Sequence, residues 1–273
     1  MSESLNIIDR FKQEGYIVIP QLFAREQVGE LRLICERIVP LWFERFPHYR
    51  QKPHRKNCSQ LTDLSYFKSD REQLIFLLNT IANPQVLSIL KSICNRQLLF
   101  HDLQYFFNPL HTSWRGDWHR DGQAIASDDT IEKDRLFEVS DRFIRVNIAL
   151  IPDDNLEIVP GSHTRWDTIE ELEIRKELNG KKNNSNAMPG ATKIVLNPGD
   201  VVFFDGFTIH RGNYFVDRPR RTIAMLYSSP VDYFTPSPTC FLEPRILDRL
   251  LPEVKVFFQD FIDTYKSRWF TTK

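Results

Sequence analysis

The sequence predicts a mainly β chain with an α-helical coat: a barrel or sandwich of short strands flanked by N- and C-terminal helices. Three observations predict it. Between residues 98 and 229, alternating or apolar runs recur between turn signals. Residues 4–14, 24–38, 70–95 and 243–265 carry helical periodicity instead. No repeat or linker divides the 273 residues, so the helical ends and the strand-rich middle are expected to share one core, a single domain over 1–273.

Leu5, Ile8 and Phe11 lie at helical spacing, and Gly15 ends that first helix. Residues 16–20 read as a strand. A second helix starts at Ala24 with Val28, Leu31, Ile34 or Cys35, and Ile38 on one face, and is expected to break at Pro40. The basic, Pro-broken stretch 47–60 reads as a loop, solvated or forming a rim that attracts an anionic substrate. Residues 70–95 give two helices broken at Asn83-Pro84. Strands are expected over 98–108, 143–151, 156–159, 192–196 and 201–204, another opening at Thr208, and a last one over 220–229. Asp153-Asp154-Asn155 is expected as a turn. The charged stretch 124–142 reads as an exposed loop or a lid, and 179–190 as a mobile loop. A helix spans about 167–178, and the tail 243–265 is helical with an interruption at Pro252.

Lys+Arg and Asp+Glu number 36 each, so no net field draws the protein to nucleic acid or to an anionic membrane, and neither is an expected partner. No basic start leads into an apolar run, and no stretch of 18 uninterrupted apolar residues occurs; a cytoplasmic protein is expected. Cys35, Cys58, Cys94 and Cys240 are scattered, without zinc-type spacing, and read as reduced.

The chemistry gathers around Trp118-His119-Arg120-Asp121 and His210. Along an extended segment i and i+2 share a face, so His119 and Asp121 point together. With 7 His and 36 acidic residues, about one such spacing is expected by chance, so the pair needs its context. That context is a preceding strand, a later turn-and-strand unit carrying His210, and a strand carrying Arg220, Arg221 and Thr222. Two imidazoles and one carboxylate on one face of a metal, with open positions opposite, is the facial triad of non-haem iron(II) oxygenases. The far carboxylate of a 2-oxoacid cosubstrate such as 2-oxoglutarate needs a paired cation, which an Arg fork supplies. Arg220 shares its strand face with Thr222, whose hydroxyl adds a hydrogen bond. Gln104 and Phe106 share a face before the metal motif. On the strand at 143–151, Arg145 and Asn147 share one face, with Val146 and Ile148 on the other. Gln104 and Asn147 are candidate cosubstrate-pocket residues or satisfied sheet amides. His163 reads as structural, His101 and His111 as core or loop, and Trp114 and Trp118 as pocket walls or packing.

Asp121 and its neighbours, Pro160-Gly161-Ser162-His163, Pro198-Gly199-Asp200, His210 and Pro219-Arg220-Arg221 together resemble the phytanoyl-CoA dioxygenase family. The resemblance covers nearly the whole chain. It implies a double-stranded β-helix (jelly-roll) fold and an iron(II)/2-oxoglutarate oxygenase, with His119, Asp121 and His210 as iron ligands. The family's usual spacing from the distal His to the 2-oxoglutarate arginine points to Arg221; the Pro-Arg start of the strand and its phase point to Arg220. Asn147 stands where the family often has Trp. The implied reaction consumes dioxygen, releases succinate and CO2, and hydroxylates an unactivated carbon of a small metabolite or natural product, an anionic or carrier-linked one being compatible with the basic loop. Desaturation or ring closure is open to the same chemistry. Two alternatives stand beside it: the same fold using its triad without 2-oxoglutarate, and a non-catalytic barrel that only binds.

Overall fold

A computed structural model describes residues 2–54, 56–94, 97–138, 143–230 and 244–269. Arg55, Cys240, Glu243 and the end of the 124–142 stretch (139–142) lie outside the described residues. Two antiparallel sheets face each other. The larger runs β1 (Tyr16–Ile19), β8 (Val201–Asp205), β5 (Phe143–Ala149), β10 (Thr222–Ser228), β3 (Leu99–Phe106) and β2 (Asn57–Ser59). The smaller runs β4 (Trp114–Arg115), β9 (His210–Tyr214), β6 (Asp153–Ile158) and β7 (Thr192–Leu196). This is a jelly roll, the fold the family resemblance implies and one form of the sandwich that the short strands and turns predict.

The large sheet is buried on both faces, and its strands sort their side chains accordingly. Val146 and Ile148 on β5, Ile223, Met225 and Tyr227 on β10, and Leu103 and Tyr105 on β3 point outward. There they meet α1 (Ser2–Glu14), α2 (Arg25–Arg45), α3 (Arg71–Ile81), α4 (Pro84–Ile93) and α8 (Pro252–Trp269), in one apolar core. The inward face packs Ala149, Val202 and Phe204 against Leu156, Ile158, Ile194 and Leu196 of the small sheet. The site opens between the sheets.

Several expectations need correction. The second helix runs through Pro40 to Arg45. Pro40 faces solvent while Ile38, Trp42 and Phe43 are buried, so packing on both sides of the proline outweighs its lost hydrogen bond. The 47–60 stretch contains β2, which pairs Asn57, Cys58 and Ser59 with Phe106, Tyr105 and Gln104. The charged stretch after the metal motif holds α5 (Asp129–Phe137). Asp128 caps it by accepting from Ile131 N, and Leu136 anchors it. Asp153 is not in a turn but opens β6, buried. The 179–190 loop is pinned: Trp118 Nε1 donates to Ser185 O at 2.8 Å, and Arg211 Nη1 to Asn184 O at 2.9 Å.

Cys35, Cys58 and Cys94 form no disulfide among the described residues. Among the described residues one stretch, Arg71–Ile93, is long and apolar enough to cross a membrane by length and composition alone. It is two helices broken at Asn83-Pro84, half buried in the molecule.

Candidate metal and cosubstrate site

His119 and His210 are cross-strand partners, not merely neighbours. Each backbone N–H donates to the other's carbonyl at 3.0 Å, and the ring centroids lie 4.3 Å apart. Two residues on, Asp121 N donates to Gly206 O at 2.8 Å, so the carboxylate is brought in beside the rings by a second backbone tie. The donor atoms of His119, Asp121 and His210 all lie within 4.8 Å of one another.

The imidazoles are held in the form a metal needs. His119 Nδ1–H donates to Asp117 O at 2.7 Å, and His210 Nδ1–H to Thr208 O at 2.8 Å. That leaves each Nε2 lone pair free to point at an ion. Burial, and then the facing His119, push His210 down to about 3; burial lowers His119 as well. Both rings are therefore neutral at physiological pH, ready to ligate. Burial alone would raise the Asp121 pKa. The Arg145 charge and its two hydrogen bonds outweigh that and hold Asp121 well below the usual carboxylate range.

Beside the triad is a cavity of about 190 Å³, lined among others by Gln104, Phe106, Arg145, Asn147 and Arg220. Arg220 is buried, and its guanidinium lies 5.0 Å from the Phe106 ring and 4.7 Å from the Tyr214 ring. Its Nε faces Asp153 Oδ2 at 3.3 Å. Arg221 points to the other side of the sheet and pairs with Glu36. Thr222 does not line the cavity; its hydroxyl donates to Asp153 Oδ2. Gln104 does line it, with its amide held by Asn57 and Asp102. Asn147 is buried in the wall and its Oδ1 has no partner. His163, His101 and Trp118 are buried packing residues, His101 bonded to Ser228 at 2.7 Å. Trp114 stacks on Tyr214 at 5.8 Å on the rim.

Two residues escaped sequence reasoning. Arg145 was placed on the right strand face but given no role; its Nε and Nη2 donate to Asp121 Oδ2 and Oδ1 at 2.7 and 2.8 Å. Strand alternation next to Asn147 was the available signal. Asp153 was hidden by an Asp-Asp-Asn string that resembles a turn.

A jelly roll with two neutral imidazoles and a carboxylate converging at its mouth defines the class: a facial-triad metalloprotein on a double-stranded β-helix. The chain belongs to the phytanoyl-CoA dioxygenase family, whose pattern matches residues 11–214. It is similar to the ectoine dioxygenase of Stutzerimonas stutzeri (strain A1501), 23% identical over 264 residues, covering 88% of this chain and 81% of that protein. Among solved structures it shares its fold with EctD from S. alaskensis with 2-oxoglutarate and 5-hydroxyectoine (TM-score 0.56, 16% identity, 82% of this chain and 75% of that one). It also shares it with the non-haem alpha-ketoglutarate-dependent epimerase SnoN from nogalamycin biosynthesis (TM-score 0.56, 14% identity, 84% and 81%).

Proposed function

We propose that this chain, one catalytic domain over 1–273, is an iron(II)- and 2-oxoglutarate-dependent dioxygenase that hydroxylates an unactivated carbon of a small metabolite or natural product. In this reading His119, Asp121 and His210 hold the iron, and Arg220 anchors the far carboxylate of 2-oxoglutarate. The observation that carries it is the convergence of two Nε2-presenting imidazoles and Asp121 beside a buried arginine.

The residues present fit both groups. Neutral nitrogens and an ionised carboxylate are the donor set iron(II) takes. Asp153 engages only the Nε side of Arg220, leaving guanidinium nitrogens for a carboxylate. The unpartnered Oδ1 of Asn147 is an acceptor available to a water or to a substrate N–H or O–H. Thr222 acts through Asp153, fixing the carboxylate that orients Arg220, and Gln104 closes the opposite wall.

Iron with 2-oxoglutarate and dioxygen supplies an oxidation that releases succinate and CO2. The chain's own work is orientation. The carbonyls of Asp117 and Thr208 keep each imidazole proton on Nδ1, and Phe204 packs on the His210 ring at 5.0 Å. In this reading, whether hydroxylation, desaturation or ring closure results is decided by which hydrogen the substrate presents. Cys35, Cys58 and Cys94, unbridged among the described residues, support a cytoplasmic location.

One observation favours a second reading, in which the triad works without 2-oxoglutarate: Asp153 already neutralises Arg220. A single experiment separates the two. Anaerobic addition of iron(II) and 2-oxoglutarate should give a metal-to-ligand charge-transfer band, and admitting oxygen should yield succinate. Absence of both sinks the 2-oxoglutarate reading.

A further inference from the structure

We propose that Arg145 is the specificity residue that receives the substrate, and that what it receives is a carboxylate or similar monoanionic group on that small molecule. The inference rests on the proposed iron and 2-oxoglutarate reading of the cavity.

Register separates Arg145 from the cosubstrate anchor. On β10, Leu226 lies opposite Arg145, while Thr222, beside Arg220, lies opposite Ala149. Four residues of strand, about 13 Å, part the two rows. A five-carbon diacid with one carboxylate on Arg220 and the other on the metal has no third carboxylate for Arg145.

The hydrogen-bond inventory says the same. A guanidinium carries five N–H donors. Arg145 spends two, both on Asp121. Its Nη1 has no partner among the described residues, and its side chain, which lines the cavity, is 21% exposed. Asp102, the other carboxylate whose charge reaches it, already accepts from Leu103 N and Gln104 Nε2. The charge balance then shifts when metal binds. A dication sharing the Asp121 carboxylate leaves Arg145 less fully neutralised than it is without metal, with Asp102 the remaining carboxylate whose charge reaches it. At the lip, Lys56 lies over Trp114 at 3.6 Å and adds a cation of the same sign. Binding of metal and of an anion at Arg145 should therefore favour each other, reciprocally.

The test uses the protein loaded anaerobically with iron(II) and 2-oxoglutarate, titrated with acetate and benzoate against acetamide and benzamide while the charge-transfer band is followed. We expect the acids to bind wild type at least tenfold more tightly than the amides, and Arg145→Gln to remove that preference. Leu226→Glu is the second variant. It sets a carboxylate opposite Arg145 without touching Asp121, and should weaken the acids alone, by tenfold or more. Acids and amides binding alike, no acid binding at all, or an unchanged preference in both variants overturns the inference. So does a loss in Arg145→Gln confined to 2-oxoglutarate affinity, which would assign Arg145 to the cosubstrate. If wild type shows no charge-transfer band, the iron and 2-oxoglutarate reading itself has failed, and this inference goes with it.

Discussion

Gly206 stands directly against Asp121: a Cβ there would lie 2.5 Å from Asp121 Oδ2. The backbone carbonyl of the same residue holds the Asp121 amide, so the glycine sets both the position and the clearance of a proposed ligand. Gly206→Ala should displace the carboxylate and weaken iron binding at least tenfold, read by titrating apo protein with iron(II), with a smaller effect on melting. Arg220 and Arg221 offer a second contrast one residue apart. Arg220→Ala should abolish the charge-transfer band formed with 2-oxoglutarate, because it removes a buried guanidinium from the cavity wall. Arg221→Ala should leave the band and lose a partly exposed pair with Glu36, worth about 0–1 kcal/mol, together with its hydrogen bonds to Asn108 Oδ1 and Arg220 O. The reverse pattern would mean that the family's spacing, not strand phase, identifies the anchor.

Between elements, the residue that joins most is Arg120, which sits between two proposed ligands and points the opposite way, as alternation requires. It is 0% exposed. It donates to Ser162 O at 2.8 Å, to Phe207 O, and to Asp167 Oδ1 at 2.7 Å. Asp167 also accepts from Arg175 at 2.6 Å, and Arg175 and Lys176 reach Glu132 on α5. The metal segment, the run into His210, α5 and α6 (Ile169–Arg175) are thus tied through one buried ionic chain. Arg120→Met leaves Asp167 and the carbonyls of Ser162, Phe207 and Arg165 each short of a donor. It should cost about 3–5 kcal/mol in denaturant unfolding and loosen iron binding, with Arg120→Lys intermediate because a single ammonium cannot replace the fork. In α2 the balance runs the other way. Pro40→Ala restores a helix N–H on the solvent side and should raise stability by about 1–3 kcal/mol, seen as a higher Tm.

For the molecule as a whole, buried histidines set the response to acid. The folded protein holds His210 down to about 3 and His101 down to about 4, against an ordinary 6.5, chiefly by burial. Between those values and 6.5 the unfolded chain binds more protons than the folded one, so stability falls as pH falls through that window and is unaffected above it. Each unit of separation is worth about 1.4 kcal/mol. Urea unfolding of the metal-free protein at pH 7 and pH 5 should show the loss, and His210→Gln should flatten the slope. Iron should steepen it, since protons and metal compete for the same nitrogen.

The periodicities, the HxD spacing and the later His are local features, and local features set the strand faces. His119 with Asp121, and Arg145 with Asn147, were therefore legible as pairs from alternation alone, as were the break at Asn83-Pro84 and the burial of Val146 and Ile148. What only the tertiary structure decided were partners distant along the chain: His119 bridged to His210, Asp153 to Arg220, Arg120 to Asp167, and Pro40 carried within a helix. Those outcomes depend on which strands lie side by side and on which buried charge must find a counter-charge. Pairing energy of that kind comes from close approach in a low-dielectric interior, and sequence separation carries no record of it.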